Sequence, residues 1–330
     1  MTYQEKLAKF RWINEQSIIQ HGLPWSRYLL MSADDPGRQQ VQQQIIVESR
    51  IQYILKKLDH ELAELDVPNQ KAVDFQVYGS YYWRLRFLAD IGLSGERYGI
   101  GPLIRKLALN QLEDGSFMIG YHARKCQTIT MVCVTAQLAY CLSQLDGVVS
   151  RAFLAACDHL LATQRADGGW HCGSTPCMSK CRAERSSCFG ATITALMALG
   201  QIPKKPWAAI QPAIDFCLRR LETVTKPYCD FDQPHAFCPN KLRYPPHHTG
   251  GDIINIIRSL SLFPDLVAPD VLQPLLAAVI ERWDGHRWLA AEKEIPDWAT
   301  FNFSQKGQPS DWLTALVLCA IKRIDSVSSI

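Results

Sequence analysis

One phrase occurs twice in this chain and limits what it can fold into. It reads Gln111-Leu-Glu-Asp-Gly-Ser-Phe117 and, 53 residues later, Gln164-Arg-Ala-Asp-Gly-Gly-Trp170. Each copy, Gln-x-x-Asp-Gly-x-aromatic, follows an amphipathic stretch and precedes a more apolar one. The Gly fits a helix stop, where a residue free to take positive φ is favoured. The second copy runs into Cys172, Cys177, Cys181 and Cys188, four thiols within 17 residues. The repeat speaks to the fold, and the thiols point to a metal.

Apolar residues recur at helical spacing along most of the chain. Stripes run through Val47, Ile51, Ile54, Leu55, Leu58, Leu62 and Leu65, through Ile210, Ile214, Cys217, Leu218 and Leu221, and through Leu272, Leu275, Leu276, Val279, Ile280 and Trp283. No run alternates in the way of a half-buried strand. The helices come in pairs: an amphipathic helix, an Asp-Gly turn, an aromatic residue, a loop, and an apolar helix such as Ala191–Leu199. The unit recurs at Trp283-Asp-Gly-His-Arg-Trp288 with its second helix at Trp312–Ile321, in degenerate form between Phe216 and Phe263, and early on around Tyr78 to Gly92. A period near 50 residues means a repeat architecture. The expectation is an all-α chain with an N-terminal helical arm over residues 1–74 packed on a body over residues 75–330.

The bulk numbers exclude several classes. A net charge of +3 without a basic run gives no footprint for nucleic acid. No apolar stretch reaches the length of a membrane span. The first residues, Met1-Thr-Tyr-Gln-Glu-Lys, lack a signal peptide's apolar core. A reducing, cytoplasmic setting is expected, where 12 cysteines read as metal ligands or small buried hydrophobes rather than disulfides.

The phrase Gln-x-x-Asp-Gly-x-Trp followed by an apolar helix resembles the repeat of squalene–hopene cyclases and protein prenyltransferase β subunits. The resemblance covers roughly residues 75 to 325. It implies an α/α toroid of five to six helical hairpins, with inner helices around a cavity for polyprenyl chains. Matching the apolar helices on their cysteines puts Cys133 and Cys188 at equivalent positions, with His248-Thr249 in the next repeat. Pro246-His247-His248-Thr249 is similar to the phrase holding the zinc His of the prenyltransferases, and Cys188 stands where their zinc Cys opens an inner helix. Ser186 occupies the place of their Asp ligand, so the borrowed set needs an added thiol.

Local spacing offers a competing site. Cys172-x4-Cys177-x3-Cys181-x6-Cys188 can close on one tetrahedral ion, although it is neither the C-x2-C knuckle nor a ferredoxin pattern. The candidate metal ligands are therefore Cys133, Cys172, Cys177, Cys181, Cys188 and His248. Zinc is the first cofactor, since it accepts mixed Cys/His sets, and a 4Fe-4S cluster is the alternative. Asp230 and Asp232 form an Asp-x-Asp pair able to hold magnesium and a diphosphate, or simply a solvated acidic turn. Cys229 and Cys238 lie in the same segment. Lys241, Arg243, His122, Arg124 and Lys125 fall near the expected mouth and can meet an anion.

Triterpene cyclases carry an acidic phrase whose central Asp protonates the substrate. The matching stretch here is Tyr244-Pro-Pro-His-His-Thr249, with His248 at the acid position. An imidazolium is too weak an acid to protonate an alkene, so protonation-type cyclisation is disfavoured unless Asp252 replaces it. Asp252 reads equally as a helix-start hydrogen-bond acceptor. Two functions follow. One is a cyclase- or transferase-like enzyme acting on an isoprenoid or other apolar small molecule. The other is a non-catalytic metal-binding or iron–sulfur sensor protein.

Overall fold

The computed structural model describes residues 2–64, 78–93, 100–122, 127–146, 149–171, 187–222, 242–246, 252–285, 288–292 and 294–328. Helices α1 (Tyr3–His21), α2 (Pro24–Leu30), α3 (Arg38–Val47) and α4 (Ser49–Glu64) open the chain. Then come α5 (Tyr81–Ile91), α6 (Ile100–Ala108), strands β1 (Met118–His122) and β2 (Gln127–Thr130), α7 (Val132–Leu145), α8 (Arg151–Thr163), α9 (Phe189–Leu199) and α10 (Trp207–Glu222). Helices α11 (Ile253–Leu260), α12 (Pro269–Glu281) and α13 (Asp311–Ser328) complete it. The chain divides into two compact units. A mid-chain unit holds residues 54–237 and 248–250, and a terminal unit holds 1–53, 238–247 and 251–330.

In the mid-chain unit α7 packs between α5 and α9. All eleven residues of α9 are buried, and so is every residue of α5 except Arg84. A helix apolar all round has no face for solvent, so it becomes the inner member of a pair. Helices α8 and α10 bury one stripe each: Phe153, Ala156, Cys157 and Leu160, and Ile210, Ala213, Ile214, Phe216 and Cys217. Burial pushes the Cys157 thiol up to about 12, with Asp158 adding to the rise. Burial also pushes the Cys217 thiol up. Both are packing residues of outer helices. The terminal unit repeats the alternation, with buried α11 beside α13 and amphipathic α12 against α11. The chain is all-α, and its repeating unit is the helical hairpin of α/α toroids.

Two features depart from the expected pattern of pairs. Strands β1 and β2 form a short antiparallel ladder after the first Asp-Gly turn, pairing Met118 with Thr130 and His122 with Gln127. Its register shift at Met118/Gly120 breaks the alternation that would betray strands in the sequence. Second, α1 and α2 lie on α13, and α3 lies on α2. The Leu23 amide donates to Asp311 Oδ2 at 2.5 Å, Lys322 Nζ reaches Glu15 at 2.5 Å, and Arg11 pairs with Asp325. The two ends of the chain thus share one core.

Candidate functional site

The repeated phrase is a hydrogen-bonded clamp, and both copies make the same bonds. Gln111 Nε2 donates to the Gly115 carbonyl at 3.0 Å and to the Ala152 carbonyl at 2.8 Å, at the start of the next outer helix, α8. Gln164 Nε2 does the same to Gly168 at 2.7 Å and Ala209 of α10 at 2.8 Å. Gly115 and Gly168 sit at φ 83° and 92°, and a Cβ there would run into the carbonyls of Ala155 and Pro212. Phe117 and Trp170 are fully buried. Their amides donate to Thr135 Oγ1 and Thr192 Oγ1, each at 3.1 Å, tying the turn to the first turn of the inner helix. After the third Asp-Gly turn, at residues 284–285, Leu289 donates its amide to Thr314 Oγ1 at 2.9 Å and is itself buried. Leu289, not Trp288, therefore holds the aromatic's place, because that turn carries two more residues after its Gly.

The threonine bonds set the true register of the inner helices. Each bonded Thr lies four residues past its N-cap: Met131 for Thr135, Cys188 for Thr192, Ser310 for Thr314. The corresponding N-cap of α11 is Asp252. Cys188 is thus equivalent to Met131, and the match of Cys188 with Cys133 is corrected. Cys133 aligns with Gly190, two residues into the helix, which turns it about 200° around the axis from the cap position. His248 lies four residues before the Asp252 cap rather than level with Cys188.

Cys188 is 4% exposed, and its amide donates to the Trp170 carbonyl at 2.8 Å. Its carbonyl accepts the amide and hydroxyl of Thr192. The start of α9 carries partial positive charge, which favours a negative group there. Asp252 is 2% exposed and caps α11, accepting the Asn255 amide at 3.2 Å. Cys133 is buried in α7. Arg243 is buried as well. His248, Asp230, Asp232, Cys172, Cys177 and Cys181 lie outside the described residues, as do Cys229, Cys238, Lys241, Arg124 and Lys125. Among the described residues no three His, Cys, Asp or Glu side chains gather to hold a metal. The aromatics Tyr81, Tyr82, Trp83, Trp283, Trp298, Phe301, Phe303 and Trp312 are all buried. Several pack ring on ring, as Phe303 does with Tyr244 and Phe301.

The two turn carboxylates use the same position differently. Asp114 bonds its own turn, accepting the Ser116 amide at 2.9 Å and hydroxyl at 2.6 Å. Asp167 accepts the Gly169 amide of its own turn at 3.2 Å and also reaches 20 residues onward, accepting the Ser187 amide at 2.8 Å and hydroxyl at 2.6 Å. Partial burial raises each carboxyl, but these hydrogen bonds outweigh it and hold both below the usual carboxylate range; His159 helps at Asp114 and Arg165 at Asp167.

Sequence reasoning missed a buried polar group between α5 and α7. Arg86 Nε donates to Asp90 Oδ2 at 2.9 Å, with the side chains 1% and 0% exposed. The Tyr140 hydroxyl donates to Asp90 Oδ1 at 2.7 Å, and the Arg86 guanidinium lies over the Tyr140 ring. The sequence signal was the i,i+4 Arg/Asp pair inside a helix whose one other charged residue is Arg84.

No family model and no curated protein matches the chain. Solved structures do show likeness over nearly the full length. A protein from Actinoplanes is 15% identical at a TM-score of 0.44, covering 92% of this chain and 89% of that one. The type II terpene cyclase MstE from Scytonema is 14% identical at 0.42, covering 93% and 88%. A glycoside hydrolase of family 105 from C. acetobutylicum is 12% identical at 0.43, covering 96% and 99%. Such distant likenesses carry no chemistry across, and the class assigned above rests on the hairpins themselves. Among the described residues no helix is long and apolar enough to cross a membrane.

Proposed function

We propose that the chain is an enzyme of the terpene cyclase/prenyltransferase kind, taking an isoprenoid or similarly apolar small molecule, with a thiolate-bound metal beside the start of α9. One observation carries this reading. The N-cap of a wholly buried inner helix is a cysteine, Cys188, and the segment entering it holds three more thiols. The donor chemistry suits the group: Cys172, Cys177, Cys181 and Cys188, with His248 as a replacement, match zinc, and four thiolates also match a 4Fe-4S cluster. Cys133 drops from the preferred set, because it points away from the cap position. When bound, the metal would supply Lewis acidity or stabilise a reactive thiolate. Asp230 and Asp232 would take a magnesium-bound diphosphate. Asp252 is committed to capping α11, which argues against it as the acid of a protonation-type cyclase. A reducing cytoplasm is the setting in which such thiols persist.

One observation favours a second reading, a metal that only staples its loop: Cys188 is 4% exposed, as in a closed structural site. Anaerobic purification followed by elemental analysis separates the cases. One zinc per chain with turnover of farnesyl or geranylgeranyl diphosphate supports the enzyme. One zinc or cluster with neither binding nor turnover supports the staple. Absence of stoichiometric metal removes both readings.

A further inference from the structure

A cavity of about 270 Å³ lies in the terminal unit, among the start of α1, the start of α12 and the last turns of α13. Local structure places its walls. A capping box between Thr2 and Glu5 fixes the first turn of α1, and Tyr3 and Leu7, four residues apart, share one face. Pro269 opens α12 with its fixed φ, and Asp270, Gln273 and Leu276 follow along the cavity side. From α13 come Ile321, Ile324 and Asp325. The floor is aliphatic, with Leu276, Ile321 and Ile324 each at most 8% exposed. The rim is acidic: Asp270 is exposed in the first turn of α12, and Asp325 is partly exposed. Lys, Arg and His are absent from the described residues that line the cavity.

We propose that this cavity binds a small aliphatic monoamine, with its hydrocarbon body on the floor and its ammonium at the rim. Charge selects the head group. Two carboxylates stand against one guanidinium, since Arg11 pairs with Asp325 at 2.5 Å. One negative charge is left over, which suits a single cation. A ligand carboxylate would meet like charge, and a polyamine or a divalent metal would bring more positive charge than the rim offsets. Ionised carboxylates only accept hydrogen bonds, and an ammonium supplies three donors. Burial and the nearby Asp325 push the Tyr3 phenol up, so it stays a neutral donor and adds no further negative charge. The positive start of α12 offsets part of the Asp270 charge, so the preference for a cation is modest. Burial of the hydrocarbon body on the floor supplies the rest. The cavity is complete only while α1 is docked, so a ligand that fills it holds α1 against α12 and α13.

The test uses the full chain, with n-hexylamine as the probe and n-hexanol and hexanoate as its neutral and anionic matches. Affinity is read by saturation-transfer NMR titration, and docking of α1 by hydrogen exchange with mass spectrometry. Hexylamine should bind, hexanol should bind about 2- to 5-fold more weakly, the size of one partly exposed charge interaction, and hexanoate more weakly still. Asp270→Asn should bring hexylamine down to the level of hexanol. Gln273→Trp, at an exposed position on the rim, fills the cavity and should abolish binding of both. At about ten times its dissociation constant, hexylamine should slow exchange in α1 about 10-fold in the wild type and leave it unchanged in Gln273→Trp. Hexanol binding as tightly as hexylamine overturns the choice of an amine. Absence of hexylamine binding, or binding undiminished in Gln273→Trp, overturns the site itself. Should Asp270→Asn misfold by circular dichroism, the alcohol comparison and Gln273→Trp decide by the same outcomes.

Discussion

At the scale of the residue, the turn glycines are constrained by two separate forces that can be told apart. Gly115, Gly168 and Gly285 all have positive φ, but only the first two face a backbone carbonyl where a Cβ would go; Gly285 has nothing within 4 Å. Gly285→Ala should therefore cost about 1 to 2 kcal/mol, the left-handed penalty alone. Gly115→Ala and Gly168→Ala add a clash with rigid backbone and should cost about 2 to 5 kcal/mol. Urea unfolding of the three variants checks the ordering, and equal costs would show that the close approach is unimportant. Asp114 offers a second check, on pH. Its folded carboxyl titrates below its usual value, about 3.9 in an unfolded chain. The stability it contributes is complete above that value and is lost as pH falls through the folded value. Asp114→Asn should lower stability at neutral pH and show a shallower further loss on acidification, measured as urea midpoints from about pH 7 to about pH 3. The Asp-Gly pair was readable because turn chemistry is local. The displacement of Trp288 by Leu289 was not, because only the bond to Thr314 shows which residue fills the slot.

At the scale of the element, the division into inner and outer helices followed from hydrophobic pattern, since α9 is apolar all round and α8 has one stripe. Helix α5 misleads that reasoning. It contains Arg84, Arg86 and Asp90, yet only Arg84 escapes burial, because Arg86 and Asp90 satisfy each other and Tyr140 across the α7 contact. Alignment of the inner helices on cysteine failed for a related reason. Thiols are interchangeable with apolar residues in a core, so they mark no register, whereas the threonine four residues past each cap does. The buried pair makes a sharp prediction. Asp90→Ala leaves the Arg86 charge buried and unpaired and should cost about 3 to 5 kcal/mol. Replacing both with apolar residues of similar size, Arg86→Met with Asp90→Leu, should cost much less, since no charge is then stranded. Thermal unfolding of the single and double variants tests this; a double variant as unstable as the single one would mean that shape rather than charge dominates the contact.

At the scale of the whole molecule, the pattern of pairs has a consequence for the chain's ends. Every inner helix before α13 is followed in sequence by an outer helix, but α13 runs to the end of the described residues. Helices α1 and α2 cover it instead, bonded at Asp311, Lys322 and Asp325 and, through Cys319 Sγ, to the Leu29 carbonyl. Nothing local in residues 3–30 says which helix they cover, because the residues that bond them, Asp311 to Asp325, stand at the far end of the sequence. Phe10, Ile18, Trp25 and Leu30 are each at most 5% exposed. At about 1.5 to 3 kcal/mol for each fully buried large apolar side chain, removing the four exposes roughly 6 to 12 kcal/mol of core. A domain's entire stability is about 5 to 15 kcal/mol. A chain starting at Ser32 should therefore lose the fold of its terminal unit while the mid-chain unit keeps its own core. Hydrogen exchange read by mass spectrometry tests this: peptides from α11 to α13 should lose protection and those from α7 and α9 should retain it. Adding residues 1–31 as a separate peptide should restore protection to α13. Unchanged exchange in α13 of the shortened chain would show that its cover is dispensable.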